Sequence, residues 1–367
     1  IGDCLYQNRQ FSLAEENYSR AVQLSPSAGD YSIYQKGFLL GLQKDYKGKI
    51  SAMDRLISEY PESQYVDDAL FEKGRSYVLL ENSSSAAQAF EKLIREFPQS
   101  SLARKAGIQL GLLYYNDNQP EKALAAYKQV ISNYPGSEEA KIALQDLKSV
   151  YIDLNDINAY ASYVNSIGGN IRLEVGEQDS LTYIAAEKLF MRGDNDGARR
   201  SLINYLQTFP EGAFSSNANF YLGSIAFAKK EFDEAIQRFK SVIASGDTKF
   251  LEESVARTAE IEYLSKDYPA ALESFKRLLI VAENPENRQA ARLGIMRCAL
   301  QTGQQKDALL AADELLKEPK LSPELEAEAR YVRAKAYIAQ KKANKALADL
   351  KELSKDTRTV HGAEAKY

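Results

Sequence analysis

Side chains that carry chemistry are few in this sequence, and they stand apart. His361 is the single histidine among 367 residues, so any histidine-dependent triad or histidine metal centre would have to include it. It falls in the last, cut-short helical stretch and reads as a solvent-exposed side chain. The carboxylate pairs Asp67-Asp68 and Glu252-Glu253 are sequence neighbours, and neighbours on a helix do not face each other. They read as solvated faces rather than acid–base dyads. Cys4 and Cys298 belong to no metal-spaced cluster, so neither a disulfide framework nor a zinc site is expected. Gly168-Gly169 is not followed by the Lys-Ser/Thr of a phosphate-cradling loop. No catalytic residue, metal ligand or cofactor-binding residue is assigned, and no cofactor is expected.

Charge narrows the partners. Lys and Arg number 47 against 51 Asp and Glu, a net −4 spread along the chain, and nucleic-acid binding would need a basic patch. No run of eighteen apolar residues exists to span a membrane. There is no signal-like segment or lipidation motif. Asp3 is a poor neighbour for a lipid-bearing Cys4, which reads instead as a small residue inside a helix.

What the sequence does hold is a period. Gly37, Gly74 and Gly111 stand 37 apart, and so do Pro61, Pro98 and Pro135. From the small residue, an apolar or aromatic residue follows at +3, Ala at +12, an aromatic at +16 and Pro at +24, a pattern that the Gly37 unit relaxes to Leu40, Lys49, Met53 and Pro61. One unit reads Gly74, Tyr77, Ala86, Phe90, Pro98, and the next Gly111, Tyr114, Ala123, Tyr127, Pro135. A helical hairpin explains this: glycine admits the facing helix, the side chains at +12 and +16 line the contact, and proline ends the second helix. Ser63, Ser100 and Ser137 then read as N-caps of the following helices. Later units read from Ala186, Gly223, Ala259, Gly294 and Ala334. The Gly294 to Ala308 interval of 14 predicts a longer turn at Thr302-Gly303-Gln304.

This pattern resembles the tetratricopeptide repeat. The resemblance implies an all-α fold, a right-handed α-α superhelix of about ten hairpins with no β-sheet. Three regions are expected: an N-terminal array over 1–167 with a truncated first and a degenerate fifth hairpin, an irregular joint over 168–178, and a C-terminal array over 179–367 with a truncated last hairpin. The final stretch from Val360 reads as a helix without a partner, and the chain as a soluble fragment of a longer protein. The joints Tyr60-Pro61-Glu62-Ser63 and Phe97-Pro98-Gln99-Ser100 are similar to those of periplasmic lipoproteins serving outer-membrane assembly and cell-division coordination in Gram-negative bacteria. That likeness implies a periplasmic or outer-membrane-associated location and an envelope complex.

In the resembled family the first helices line a groove that holds a peptide, so a non-catalytic scaffold for a protein or peptide partner is expected. Residues at −3, +1 and +4 from the small residue lie about 100° around from the intra-hairpin contact. Tyr34, Phe71, Tyr183, Phe220 and Tyr331 stand at −3; Phe38, Arg75, Tyr115, Phe190 and Phe227 stand at +1 or +4. Ile108, Gln145 and Ala256 complete the −3 set. Two readings of the rings remain open: contact with a partner, or packing between neighbouring hairpins. The alternative functions are glycan binding, disfavoured by the 0 Trp, and a helical scaffold for an envelope enzyme with its catalytic domain elsewhere.

Overall fold

The computed structural model describes residues 1–168, 172–246, 249–319, 321–355 and 360–366. Among them every regular element is helical and no strand is present. The chain divides into two compact units, 1–173 and 174–367.

The first unit pairs α1 (Gly2–Gln7) with α2 (Phe11–Leu24), α3 (Asp30–Leu42) with α4 (Tyr46–Glu59), and α5 (Val66–Leu79) with α6 (Ser83–Glu96). Next come α7 (Ser101–Asn116) with α8 (Pro120–Asn133), then α9 (Glu138–Asp153) with α10 (Ile157–Ile167). The second unit pairs α11 (Val175–Met191) with α12 (Asn195–Thr208), α13 (Ser215–Ala228) with α14 (Phe232–Ser245), and α15 (Leu251–Leu264) with α16 (Tyr268–Val281). It continues through α17 (Pro285–Gln301) with α18 (Gln305–Leu315), α19 (Pro323–Ala339) with α20 (Ala343–Leu353), and α21 (Val360–Lys366). Within each unit every second helix packs on the first helix of the next hairpin, as α6 does on α7 and α16 on α17. These are stacked hairpins of a helical-repeat solenoid.

The small residue does what its position suggests. A Cβ on Gly74 would sit 2.5 Å from the Phe90 ring, one on Gly111 2.4 Å from Tyr127, and one on Gly223 2.8 Å from Phe239. The glycine therefore seats the +16 ring, and Phe90 and Tyr127 are fully buried there. Proline acts one residue earlier than its own position. Phe97, before Pro98, is the C-cap of α6 at φ −128, ψ 55, outside the helical region that a following proline disfavours.

All ten hairpins among the described residues turn the same way. The residue at +7 is left-handed in each: Arg9, Lys44, Glu81, Asn118, Asn155, Gly193, Lys230, Lys266, Gly303 and Lys341. Around Asn118 the amides of Asn118 and Gln119 reach back to the carbonyls of Tyr115 and Tyr114, at 3.1 and 2.8 Å. This pair of bonds closes a helix end through one left-handed residue. Asp45, Asn82, Asp156, Asp194 and Asp267 then cap the second helix with their side chains.

The observed helices correct four readings. The turn at Thr302-Gly303-Gln304 is no longer than the others: counting back seven from Gly303 places buried Met296 at the small-residue position, and Ala308 at its +12. Gly294 instead faces the preceding hairpin, where its Cβ would lie 2.4 Å from Phe275. Val175–Gln178, expected to be irregular, already belong to α11, and residues 169–171 of the expected joint lie outside the described set. Ser100 and Ser137 cap their helices, but α5 starts only at Val66 and Ser63 is not its cap. Finally, α21 has partners, since it packs on α19 and α20.

Candidate functional site

The rings at −3 are held by rings from the next hairpin. Tyr34 stacks on Tyr65 at 5.3 Å and 14°, Tyr183 on Phe214 at 4.5 Å and 3°, and Phe220 on Phe250 at 4.2 Å and 15°. Tyr331 stacks on His361 at 4.6 Å and 26°. In all four stacks the second member stands at or beside the start of the next first helix. His361, expected to be solvent-exposed, is thus half-buried in a stack. Phe71 leans on Phe90 of its own hairpin at 5.9 Å, and Leu102, at the matching place of the next hairpin, packs against the same core.

Polar bonds fix several of these rings. The Tyr183 hydroxyl donates to Glu187 at 2.5 Å and accepts from the Asn217 amide at 3.1 Å. Burial, then the Glu187 carboxylate, pushes its pKa well above the ordinary tyrosine value. Tyr34 is raised by burial and by the nearby Asp68, Glu72 and Asp67. Asp68 itself is raised, first by burial and then by Asp67 and Glu72, against the hydrogen bond from Tyr34.

Residues at +1 and +4 sit nearer the surface. Phe38 meets Tyr6 edge-on at 6.5 Å with the Lys49 ammonium 5.6 Å from its ring. Arg75 pairs with Glu72 at 3.0 Å and keeps 56% of its side chain exposed. Tyr115 donates to Asp153 of the next first helix. Phe190 lies 4.6 Å from Tyr221, and Phe227 lies 6.2 Å from Phe232 with the Arg257 guanidinium 5.0 Å from its ring.

Some of the exposed apolar groups lie beside these positions, while others such as Ile280, Leu24 and Leu310 stand on second helices. Leu42, Leu79, Met191 and Leu264, all at +5, are 49%, 57%, 64% and 56% exposed, and Leu112 at +1 is 41% exposed. A side chain at +5 is four on from +1, so it shares that face; the −3, +1, +4 set missed it.

One member of each carboxylate pair, expected to be solvated, is a junction acceptor. Asp67 accepts from the Ser100 hydroxyl, and Glu252 from the Glu283 and Asn284 amides and the Asn287 side chain. Among the described residues no cluster of metal-ligating side chains occurs, and no helix is long and apolar enough to cross a membrane.

Stacked helical hairpins with one repeated turn define a helical-repeat protein. Residues 31–63 and 185–248 match tetratricopeptide repeat families, and residues 67–149 match YfiO, described as an outer membrane lipoprotein. The chain folds as a tetratricopeptide-type solenoid that carries tetratricopeptide repeats at 31–63 and 185–248, and across 67–149 it is similar to that lipoprotein. No curated protein matches it. Among solved structures it is similar to MamA from Desulfovibrio magneticus RS-1, with 18% identity over 46% of this chain and 89% of that one, at a TM-score of 0.36. It is similar to the Naa15/Naa10 complex bound to HypK-THB, with 14% identity over 100% and 59% of the two chains and a TM-score of 0.45. The Cut9–Hcn1 assembly of the APC/C gives 11% identity over 99% and 94%, with a TM-score of 0.47. These likenesses concern the fold alone.

Proposed function

We propose that this protein is a non-catalytic scaffold that binds a peptide or protein partner along its first helices, within a bacterial envelope complex. The observation that carries the reading is the exposed apolar series Leu42, Leu79 and Leu112 on successive first helices of the first unit. Large apolar side chains on one face, Leu42 and Leu79 at +5 and Leu112 at +1, beside Phe38, Arg75 and Tyr115, form the kind of surface that marks an interaction site. The likeness of residues 67–149 to an outer membrane lipoprotein supports a periplasmic or outer-membrane-associated location.

The test is capture from a membrane-envelope fraction and from cytosol by the immobilised chain, with and without Leu79→Asp and Leu112→Asp. The reading expects envelope proteins to be retained by the wild type and lost from a folded double variant. Retention that ignores both substitutions would move the binding surface elsewhere.

A further inference from the structure

Within the second unit two consecutive junctions lack the ring pair that the others have. Tyr183 with Phe214, and Phe220 with Phe250, fill the space between consecutive hairpins. At the next junction the same two places hold Ala256 and Asn287, and at the one after it the larger Leu293 and Glu324. A cleft of about 380 Å3 opens at the Ala256 junction between α15 and α17. Its apolar lining includes Ala256, Leu264, Phe275, Leu278 and Leu293, with the exposed Ala290 at its rim.

The charged groups around the cleft are matched among themselves. Arg257 bonds Glu253 at 2.8 Å and Glu260 at 2.9 Å, and Arg297 grips Glu328 with two bonds of 2.7 Å. The lining therefore carries two arginines and two glutamates, and its arginines are already neutralised. A charged occupant would lose its hydration without a free counter-charge, so the complementary occupant is uncharged. The volume lies near the lower bound of about 300 Å3 for ligand pockets, which suits a side chain rather than a folded element.

We propose that this cleft is a subsite for an uncharged aromatic side chain of a bound peptide, which takes the place that Phe214 and Phe250 take at the neighbouring junctions. The proposal rests on the first helices being the peptide-binding face. Aromatic pairs gain from offset or edge contacts beyond area alone, and Phe275 at the cleft offers a ring for that contact. Leu264, at the exposed +5 position, joins the cleft to the apolar residues of the same face.

The experiment is a methyl NMR titration of the full chain with N-acetylphenylalanine amide, and with N-acetylaspartate amide as the charged comparator. Saturable shifts are expected at the methyls of Ala256, Leu264, Leu278 and Leu293, with the aspartate probe at least about tenfold weaker. Ala256→Phe supplies the missing ring from the chain itself, so it should abolish the shifts while the protein still melts cooperatively at no lower temperature. If that variant fails to fold, Ala290→Trp at the exposed rim carries the same expectation. Wild-type methyls that do not move, equal shifts from both probes, or shifts that persist in a folded blocked variant would overturn the subsite. Such a failure alongside intact, Leu79-dependent capture would leave the scaffold reading standing, and lost capture with intact titration would do the reverse.

Discussion

The Ser100 hydroxyl donates to the Asp67 carboxylate at 2.7 Å, from the joint after one hairpin back to the first helix of that hairpin. Ser63 does the same to Asp30 at 2.6 Å, and the Ala213 amide reaches Asp179 at 2.8 Å. Each acceptor stands about one hairpin before its donor in the sequence, so the links hold neighbouring hairpins in register.

Asp67→Ala should therefore destabilise the first unit by about 1.5–3 kcal/mol, the usual range for a hydrogen bond to a charged group. Ser100→Ala loses the same bond together with the cap it gives Leu102 at 3.0 Å. Denaturant unfolding of the two single variants and the double variant should show coupling, because both remove one shared interaction. Strict additivity would mean that the link contributes nothing.

Gly111→Ala should cost roughly 1–3 kcal/mol by overpacking, because the new methyl would stand 2.4 Å from the Tyr127 ring. Thermal melts would register it. The pair Gly111→Ala with Tyr127→Leu should recover part of the loss, as a smaller group at +16 makes room.

Phe220→Ala should cost about 3–5 kcal/mol of folding stability, because it removes one ring from contacts with Phe250, Phe239 and Tyr221. Arg75→Ala should change stability little, since its partner lies on its own helix and its side chain is largely exposed. A partner-affinity loss for Arg75→Ala without a stability loss would place that residue in the binding surface. The opposite pattern for Phe220 would assign its ring to packing.

Asp68 supplies a pH test. Its folded-state pKa lies above the ordinary 3.8, so the folded state holds its proton more tightly than the unfolded chain. Stability from this group is then fully present below about pH 4 and declines as pH rises through the folded value. Asp68→Asn should raise the melting temperature at pH 7 and converge with the wild type near pH 3. A variant less stable than the wild type at both values would contradict the assigned direction.

Much of the hairpin was legible because glycine and the +16 ring are one contact written twice. Gly74 with Phe90 and Gly111 with Tyr127 pair from spacing alone. The +7 turn residue was not, because its left-handed backbone is imposed by the bonds that close the helix end. Arg, Lys, Glu, Asn and Gly all occupy it, so no residue type announces it. Gly294 misled for a related reason: it makes room for Phe275 of the preceding hairpin, a contact the intra-hairpin spacing does not describe. The ring partners Tyr65, Phe214 and Phe250 stand one hairpin ahead of the rings they stack on, in joints whose Ser and Pro residues signal only caps and helix ends. Ala256 carried its meaning only by contrast with those filled junctions.

The repeated turn also governs how the chain would respond to force. Within a unit each hairpin is tied chiefly to its neighbours, so tension applied to the two ends is carried in series rather than shared. Optical tweezers should see stepwise rips, each freeing one repeat period or a small multiple of it. One period corresponds to roughly 12–13 nm of extended chain. Junctions held by a ring stack and a carboxylate link, such as Tyr183–Phe214 with Asp179–Ala213, should yield late. The Ala256 junction, which keeps the Glu252 carboxylate links but lacks the ring pair, should part before those, and a peptide seated in its cleft would act as a mechanical brace.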